Sequence, residues 1–370
     1  MNYYNAMDGL NFDLQDRWNA VCSTSSDNYR SEKQFPNKNG DFLEQYHQFE
    51  EYMNANWHPN VNLGAAVAGD QLLTDHGVAH VRSVILHAKD IIADTTKLNG
   101  YELFLLLMAI HFHDLGNISG REYHERKIAE IIEQMDGRLP LDTSEKEFIA
   151  AIAIAHGGNL PEDKENKDTI RSVPSDTHYD GVPIRPRALA AILRFADEIS
   201  DDLRRSDFTG ITIPHENEIY HEFSKALEPI SVVGETIVFR FRIPYEMTQK
   251  ELGKGNSEML LYDEILNRMT KCMRELEYCK KYANGLIKLS TIDVTIDILS
   301  EKSKFQIIRN AGDSFRLTLH GYPNHNSSKL VDYLEPKNSI LDPSGILKYE
   351  DGSSLRMAIQ QRNDGGDTSD

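Results

Sequence analysis

Ile110-His111-Phe112-His113-Asp114-Leu115-Gly116-Asn117 closes an apolar run that begins at Leu103. From Leu103 to His113 the chain is apolar on every side of a helix, which predicts a central helix buried among others. A histidine and an aspartate at the end of such a helix are costly to bury unless they are paired or bound to a metal. Adjacent side chains leave a helix about 100° apart, so His113 and Asp114 converge on one ion only where the helix ends. Gly116 is read as supplying that end. His111, two residues before His113, faces elsewhere and is not expected to be a ligand.

Other expected helices offer similar side chains. His76, His80, Val84 and His87 fall at i, i+4, i+8 and i+11, one stripe of a helix, beside an apolar side of Val81, Ile85, Ala88, Ile91 and Ile92. Taken singly, His76 and His87 read as capping or hydrogen-bonding residues. His124 leads into a helix over Ile128 to Met135, and a helix over Phe148 to Ala155 ends at His156-Gly157-Gly158. Pro186 opens a helix running to Leu203, on which Asp197 lies among Phe195, Ala196 and Ile199 and is expected to point inward. His80, His113, Asp114, His124, His156 and Asp197 thus form one candidate metal-ligand set.

Imidazole and carboxylate donors without thiolates suit Mn, Fe, Ni, Co, Zn or Mg. Six ligands are more than one ion needs from protein, so two divalent ions are expected, with Asp114 as the bridge. A pair of ions about 3.5 to 4 Å apart can hold a hydroxide and clamp a phosphoryl oxygen. Arg121, Lys127, Arg194, Arg204 and Arg205 are the candidate cations for substrate phosphate.

The order His80-Val-Arg-Ser-Val, His113-Asp114-Leu-Gly, His124, His156 and Leu-Arg-Phe-Ala-Asp197 resembles the HD superfamily of metal-dependent phosphohydrolases. Asp75-His76-Gly-Val-Ala-His80 is similar to a form of the first motif whose second histidine is the ligand. The resemblance implies that His80, His113, Asp114 and Asp197 hold one metal and that His76 is an accessory residue toward substrate. It implies a binuclear site through His124 and His156, with Asp114, His124 and His76 as the catalytic candidates. It covers about residues 70 to 206 and is nearest to HD proteins of bacterial conflict and defence systems. Asn117 stands where many members carry a lysine, which weakens the transfer of a cyclic-dinucleotide phosphodiesterase reading. Gly157 stands where others have a second histidine, which weakens the expected hold on the second metal.

The 370 residues, 40% of them hydrophobic, suffice for one large domain or two ordinary ones. The expected fold is mainly α, an HD-type helical domain with an appended small α+β subdomain. A helical cap is expected over 1–58, with helices through Phe12, Leu14, Trp18 and Val21 and over Asp41 to Trp57. The metal-binding helical domain is expected over 59–208, the α+β subdomain over 209–335 and a flexible tail over 336–370. The segment from Asn159 to Arg185 reads as a long polar excursion. Alternating residues predict strands at Ile211 and Ile213, Ile230 to Val233, Ile237 to Ile243, Ile292 to Ile298 and Phe315 to Leu319. A long helix from Ser257 to Leu286 carries Leu261, Ile265, Met269, Cys272, Leu276 and Cys279 on one face.

A formal charge of -18 argues against a grip on long duplex nucleic acid or an anionic membrane, and favours a small anionic nucleotide-type substrate. Three scattered cysteines suggest neither a disulfide framework nor a thiolate zinc site, and the start MNYYNAMDGL lacks the pattern of a secretory signal. A cytoplasmic setting is expected. The leading expectation is a hydrolase that cuts a phosphoester or phosphoanhydride of a nucleotide or short oligonucleotide with metal-bound hydroxide. The alternatives are a di-iron HD-type oxygenase of a small molecule, or a non-catalytic sensor with a structural metal site. The α+β subdomain carries no chemical motif and is expected to serve packing, homo-oligomer or partner contacts, or substrate selection.

Overall fold

The computed structural model describes residues 34–37, 41–61, 76–120, 123–135, 137, 139, 141–160, 162–163, 165–201, 213–300, 306–308, 311–319, 329–334 and 347–364. The helix expected through Phe12 to Val21 lies outside these residues. The chain divides into two compact units, Met1–Ser200 with Tyr278–Lys288, and Asp201–Glu277 with Leu289–Asp370. The protein is mainly α with a smaller α+β part.

In the first unit, short polar side chains start the helices. Asp41 accepts hydrogen bonds from the Leu43 and Glu44 N–H groups and opens α1 (Phe42–Asn56), which buries Phe42, Tyr46, Phe49 and Met53. α2 spans Val78–Ile91. α3 (Gly100–Phe112) opens on a capping box in which Asn99 and Glu102 each accept the other's backbone N–H. Every residue of α3 is buried, as its continuous apolarity requires. α4 (Ile128–Gln134) is short. α5 (Thr143–Ile154) starts on a second capping box, Asp142 with Glu145, and α6 (Pro186–Glu198) has proline in its first turn. α3 packs against α1, α2, α5 and α6 and is the central helix of the unit.

Glu102 has a second task. Buried to 1% exposure, it receives Arg185 Nε at 2.8 Å and Arg185 Nη2 at 2.7 Å as a two-pronged ion pair, and the Arg185 N–H at 3.0 Å. Arg185 immediately precedes α6, so the N-termini of α3 and α6 are tied together. With His113 Nε2 3.6 Å from Asp197 Oδ1 at their other ends, the two helices run side by side in the same sense.

Several boundaries differ from the sequence expectation. His76 lies before α2 rather than on it, because Gly77 takes a non-helical conformation (φ -87°, ψ -149°) at the N-cap. α5 begins five residues ahead of Phe148, where the capping box starts a turn that carries no apolar signal. α6 stops at Glu198 instead of Leu203, and Ser200 Oγ folds back to donate to Ala196 O at 2.6 Å. The excursion between Asn159 and Arg185 contains a 3-10 turn at Thr169–Ser172 and a hairpin of β1 (Thr177–Tyr179) with β2 (Val182–Ile184). Tyr179 stacks on Tyr101 of α3 with ring centres 5.6 Å apart, which anchors this hairpin on the core.

In the second unit a 3-10 turn at His215–Asn217 leads into α7 (Glu218–Ala226), and the unit is built on a four-stranded sheet. β3 (Ser231–Val233), β4 (Thr236–Pro244), β7 (Thr291–Leu299) and β8 (Asp313–Thr318) are ordered β3-β4-β7-β8. The β4–β7 pair is parallel and the others antiparallel. A parallel pair needs a crossover, supplied by α8 (Tyr245–Gln249), a hairpin of β5 (Glu251–Lys254) with β6 (Ser257–Leu260), and α9 (Leu261–Tyr282). The expected long helix therefore starts four residues late, because Ser257 to Leu260 pair with β5 instead. Cys272 and Cys279 are buried on α9, as its apolar face predicts. Ile213 is not in a strand, and Ile211 lies outside the described residues. Within the tail expected to be loose, α10 (Gly352–Asp364) forms because Leu355 and Ile359 find a buried place and the Gly352 N–H donates to Asp263 at 2.7 Å. No single helix among the described residues is long and apolar enough to cross a membrane.

Candidate metal centre

Six side chains from five separate segments meet at the C-terminal ends of α3 and α6. His80 comes from the first turn of α2, His113 and Asp114 from the end of α3, and Asp197 from the last turn of α6. His124 opens a 3-10 turn ahead of α4, and His156 follows the end of α5. Ligand atoms of His80, His113, Asp114 and Asp197 all lie within 4.8 Å of one another, as do those of Asp114, His124 and His156. Either group could hold a metal ion, and Asp114 belongs to both.

The two oxygens of Asp114 divide the histidines. Oδ2 lies 3.4 Å from His80 Nε2 and 3.3 Å from His113 Nε2. Oδ1 lies 3.4 Å from His124 Nε2 and 3.8 Å from His156 Nε2. Asp197 Oδ1 completes the first group, 3.1 Å from His80 Nε2 and 3.6 Å from His113 Nε2. Asp114 is itself held from outside: His76 Nδ1 reaches Oδ2 at 2.8 Å and Asn117 Nδ2 donates to Oδ1 at 3.1 Å.

Two of the imidazoles present lone pairs to this centre. His113 Nδ1 donates to Ile110 O and His156 Nδ1 to Ala153 O, both at 2.6 Å. These bonds fix the proton on Nδ1, which leaves Nε2 as an acceptor in the neutral ring. Nε2 atoms then approach one another at 3.3 Å for His80 with His113 and at 3.2 Å for His124 with His156. The His113 and His156 acceptors, set beside the Asp114 and Asp197 carboxylates, call for a cation among them. The donor set, imidazole nitrogen and carboxylate oxygen with no thiolate, fits a divalent metal.

Charge supports this reading. Burial pushes Asp114 upward, yet His113 and His76 hold it well below the usual carboxylate range. Asp197 is likewise lifted by burial and brought well below that range by His113 and His80. Burial works against a charged His113, but Asp114 and Asp197 raise it well above an ordinary imidazole. A proton on His113 thus stands where a metal charge would serve. His156 is pushed by burial, and further by His113 and His124, down to about 4 and stays neutral.

Two glycines act by closeness. Gly116 is not the left-handed helix terminator expected from the sequence; it sits inside a 3-10 turn, Leu115–Ser119, and Gly120 (φ 96°) ends that turn. A Cβ on Gly116 would come within 1.9 Å of His124 O, so glycine lets the His124 backbone approach Asp114. Gly158 (φ +72°) passes so near Glu125 that a Cβ would stand 2.4 Å from its Oε1.

Among the substrate-binding candidates, Lys127 Nζ donates to Ser119 O at 3.1 Å. Arg194 is 7% exposed, donates to Thr169 Oγ1 at 3.0 Å and Lys167 O at 3.2 Å, and lies over the Tyr278 ring at 4.6 Å. It holds the excursion after α5 in place. Arg121, Arg204 and Arg205 fall outside the described residues. His111 turns away from the centre, with Nε2 3.2 Å from Tyr46 OH and Nδ1 3.0 Å from His58 Nε2. Asn117, Glu125 and Gly158 were not legible as site residues from sequence. Their only signal was position, within three residues of a candidate ligand.

Fold and site together define an HD-type helical domain with a buried His/Asp cluster. The family model HD-CE matches residues 70–254, half of the chain, and the protein belongs to the HD-CE family. No curated protein matches the chain. Family and cluster fit a metal-dependent hydrolase in general.

Proposed function

We propose that this protein is a binuclear metal-dependent phosphohydrolase that cleaves a phosphoester or phosphoanhydride of a nucleotide or short oligonucleotide. The observation that carries the reading is the division of Asp114, with one oxygen toward His80 and His113 and the other toward His124 and His156. Divalent ions bound there supply a water of lowered pKa and polarise a phosphoryl oxygen. His80, His113, Asp114 and Asp197 would hold one ion, and Asp114, His124 and His156 the other.

The remaining residues position and move protons. His76 fixes the Asp114 carboxylate through its Nδ1 contact at 2.8 Å, and we assign it the proton transfer at the scissile oxygen. Asn117 orients the other Asp114 oxygen. Lys127 keeps two further N–H donors beside its bond to Ser119 O, and Arg121, Arg204 and Arg205 are the remaining phosphate candidates.

The test is elemental analysis of the purified protein joined to a nucleotide panel with product mass spectra. Two divalent ions per chain and release of orthophosphate, tripolyphosphate or a linear nucleotide are expected. An aerobic, iron-dependent loss of substrate without phosphate release would assign oxygenase chemistry instead. Absence of bound metal, with His113→Ala leaving stability unchanged, would make the centre non-catalytic. His76→Gln is expected to lower kcat by about 10²–10⁴ while metal content stays unchanged.

A further inference from the structure

We infer that Thr169, held by Arg194, is a positioning residue for His156. A hydrogen-bond chain from α6 fixes the end of α5, and with it the hold of Asp114, His124 and His156 on a divalent ion. The inference rests on the binuclear reading above.

Arg194 stands on α6 about one turn before Asp197, and Ala155 immediately precedes His156. One hydroxyl joins them. Arg194 Nη1 donates to Thr169 Oγ1 at 3.0 Å, and Thr169 Oγ1 donates to Ala155 O at 2.9 Å. The sense of the chain is forced, because a guanidinium only donates and a carbonyl only accepts. Ala155 O is one of the carbonyls that the end of α5 leaves without a partner inside the helix, and Thr169 supplies the donor. Thr169 and Arg194 are each 7% exposed, so a bond that starts on a permanent charge and passes through a hydroxyl is shielded from water.

His156 is thereby fixed at two levels. Its ring is set by Nδ1 donating to Ala153 O at 2.6 Å, and the backbone that carries it by Thr169. The turn that brings Thr169 is itself pinned residue by residue. Arg194 Nη1 also donates to Lys167 O at 3.2 Å, Tyr282 OH donates to Asp168 Oδ1 at 2.8 Å, and the Ile170 N–H donates to Tyr278 OH at 3.1 Å. Tyr278 and Tyr282 belong to the first unit, as the centre does, and the Tyr278 ring lies under the Arg194 guanidinium. The substrate-phosphate role expected for Arg194 from its charge does not fit a buried guanidinium committed to Thr169, Lys167 and Tyr278. Its charge serves the frame instead.

The experiment titrates the full chain, freed of metal by chelation, with Co²⁺, following visible absorption and heat, with circular dichroism as the check of folding. Two binding steps are expected for the wild type. Asp197→Ala, which keeps only the second ligand group, and His124→Ala, which keeps only the first, assign the two steps. Thr169→Val, which keeps the shape and removes the hydroxyl, is expected to weaken the second group's step by about tenfold and leave the other within about twofold. Thr169→Ser, which keeps the hydroxyl, is expected to restore it. Arg194→Met is expected to weaken the same step, and it reads the chain should Thr169→Val fail to fold. Equal weakening of both steps, no change in either, or no rescue by serine would overturn the role of Thr169 while leaving the binuclear reading intact. Fewer than two Co²⁺ ions on the wild type would overturn both.

Discussion

At the scale of single residues the centre is governed by one carboxylate and one glycine. Asp114 is common to both ligand groups, so Asp114→Ala is expected to abolish binding at both, whereas Asp197→Ala should spare the second; metal stoichiometry after dialysis distinguishes them. Gly116→Ala would drive a Cβ to 1.9 Å from a backbone oxygen, which no rotamer can relieve. A loss of about 1–3 kcal/mol in denaturant unfolding is expected, with weakened metal binding at His124. Protonation of the chelated protein follows the same residues. His156, held by burial near 4, binds its proton in the unfolded chain near 6.5, so the folded chain carries fewer protons between those values. Stability from His156 is therefore present above about 6.5 and lost as pH falls toward about 4. Melting of chelated wild type and His156→Gln across that window checks it, and the variant should show the flatter slope. His113 acts in the opposite direction and in a higher window, since its raised value gives stability that is lost only as pH rises through it.

Among the elements, the parallel course of α3 and α6 decides whether a centre exists at all. The clamp at their far ends is Glu102 with Arg185, and removal of Arg185 leaves a glutamate of 1% exposure without its charge partner. Arg185→Ala is expected to cost about 3–5 kcal/mol in unfolding free energy, and Arg185→Lys to recover only part of it because an ammonium lacks the planar fork that pairs one N–H with each oxygen. If Arg185→Ala melts like the wild type, the clamp is not what aligns these helices. The apolar run from Leu103 announced α3 without ambiguity, since a helix with no polar side has nowhere to lie except the interior. α10 and the β5–β6 hairpin were not announced. Their sequences are polar, and each forms because one edge or one pair of side chains is buried by the rest of its unit.

For the molecule as a whole, a metal held at the centre would add folding energy to the first unit, because the unfolded chain has no assembled centre. Saturation at about a thousand times the dissociation constant corresponds to about 4 kcal/mol. Chelation is therefore expected to lower the melting transition reported by the first unit, and a scan with and without chelator measures it; equal curves would contradict metal binding at the centre. With two compact units in the chain, the transition need not be two-state, and a probe placed in the first unit is the informative one.

The sequence by itself determined the helical class, the buried central helix, the four strands of the second unit's main sheet and the six side chains that now stand together. It could do so because periodicity and the cost of burying charge are local properties, readable one segment at a time. Tertiary structure alone decided which oxygen of Asp114 faces which histidines, that Gly116 serves approach instead of termination, that His76 bonds Asp114 from outside α2, and that Glu125 and Gly158 share one small space. Each of these depends on the distance between atoms far apart in the chain. No spacing along the sequence encodes that distance until the helices have packed.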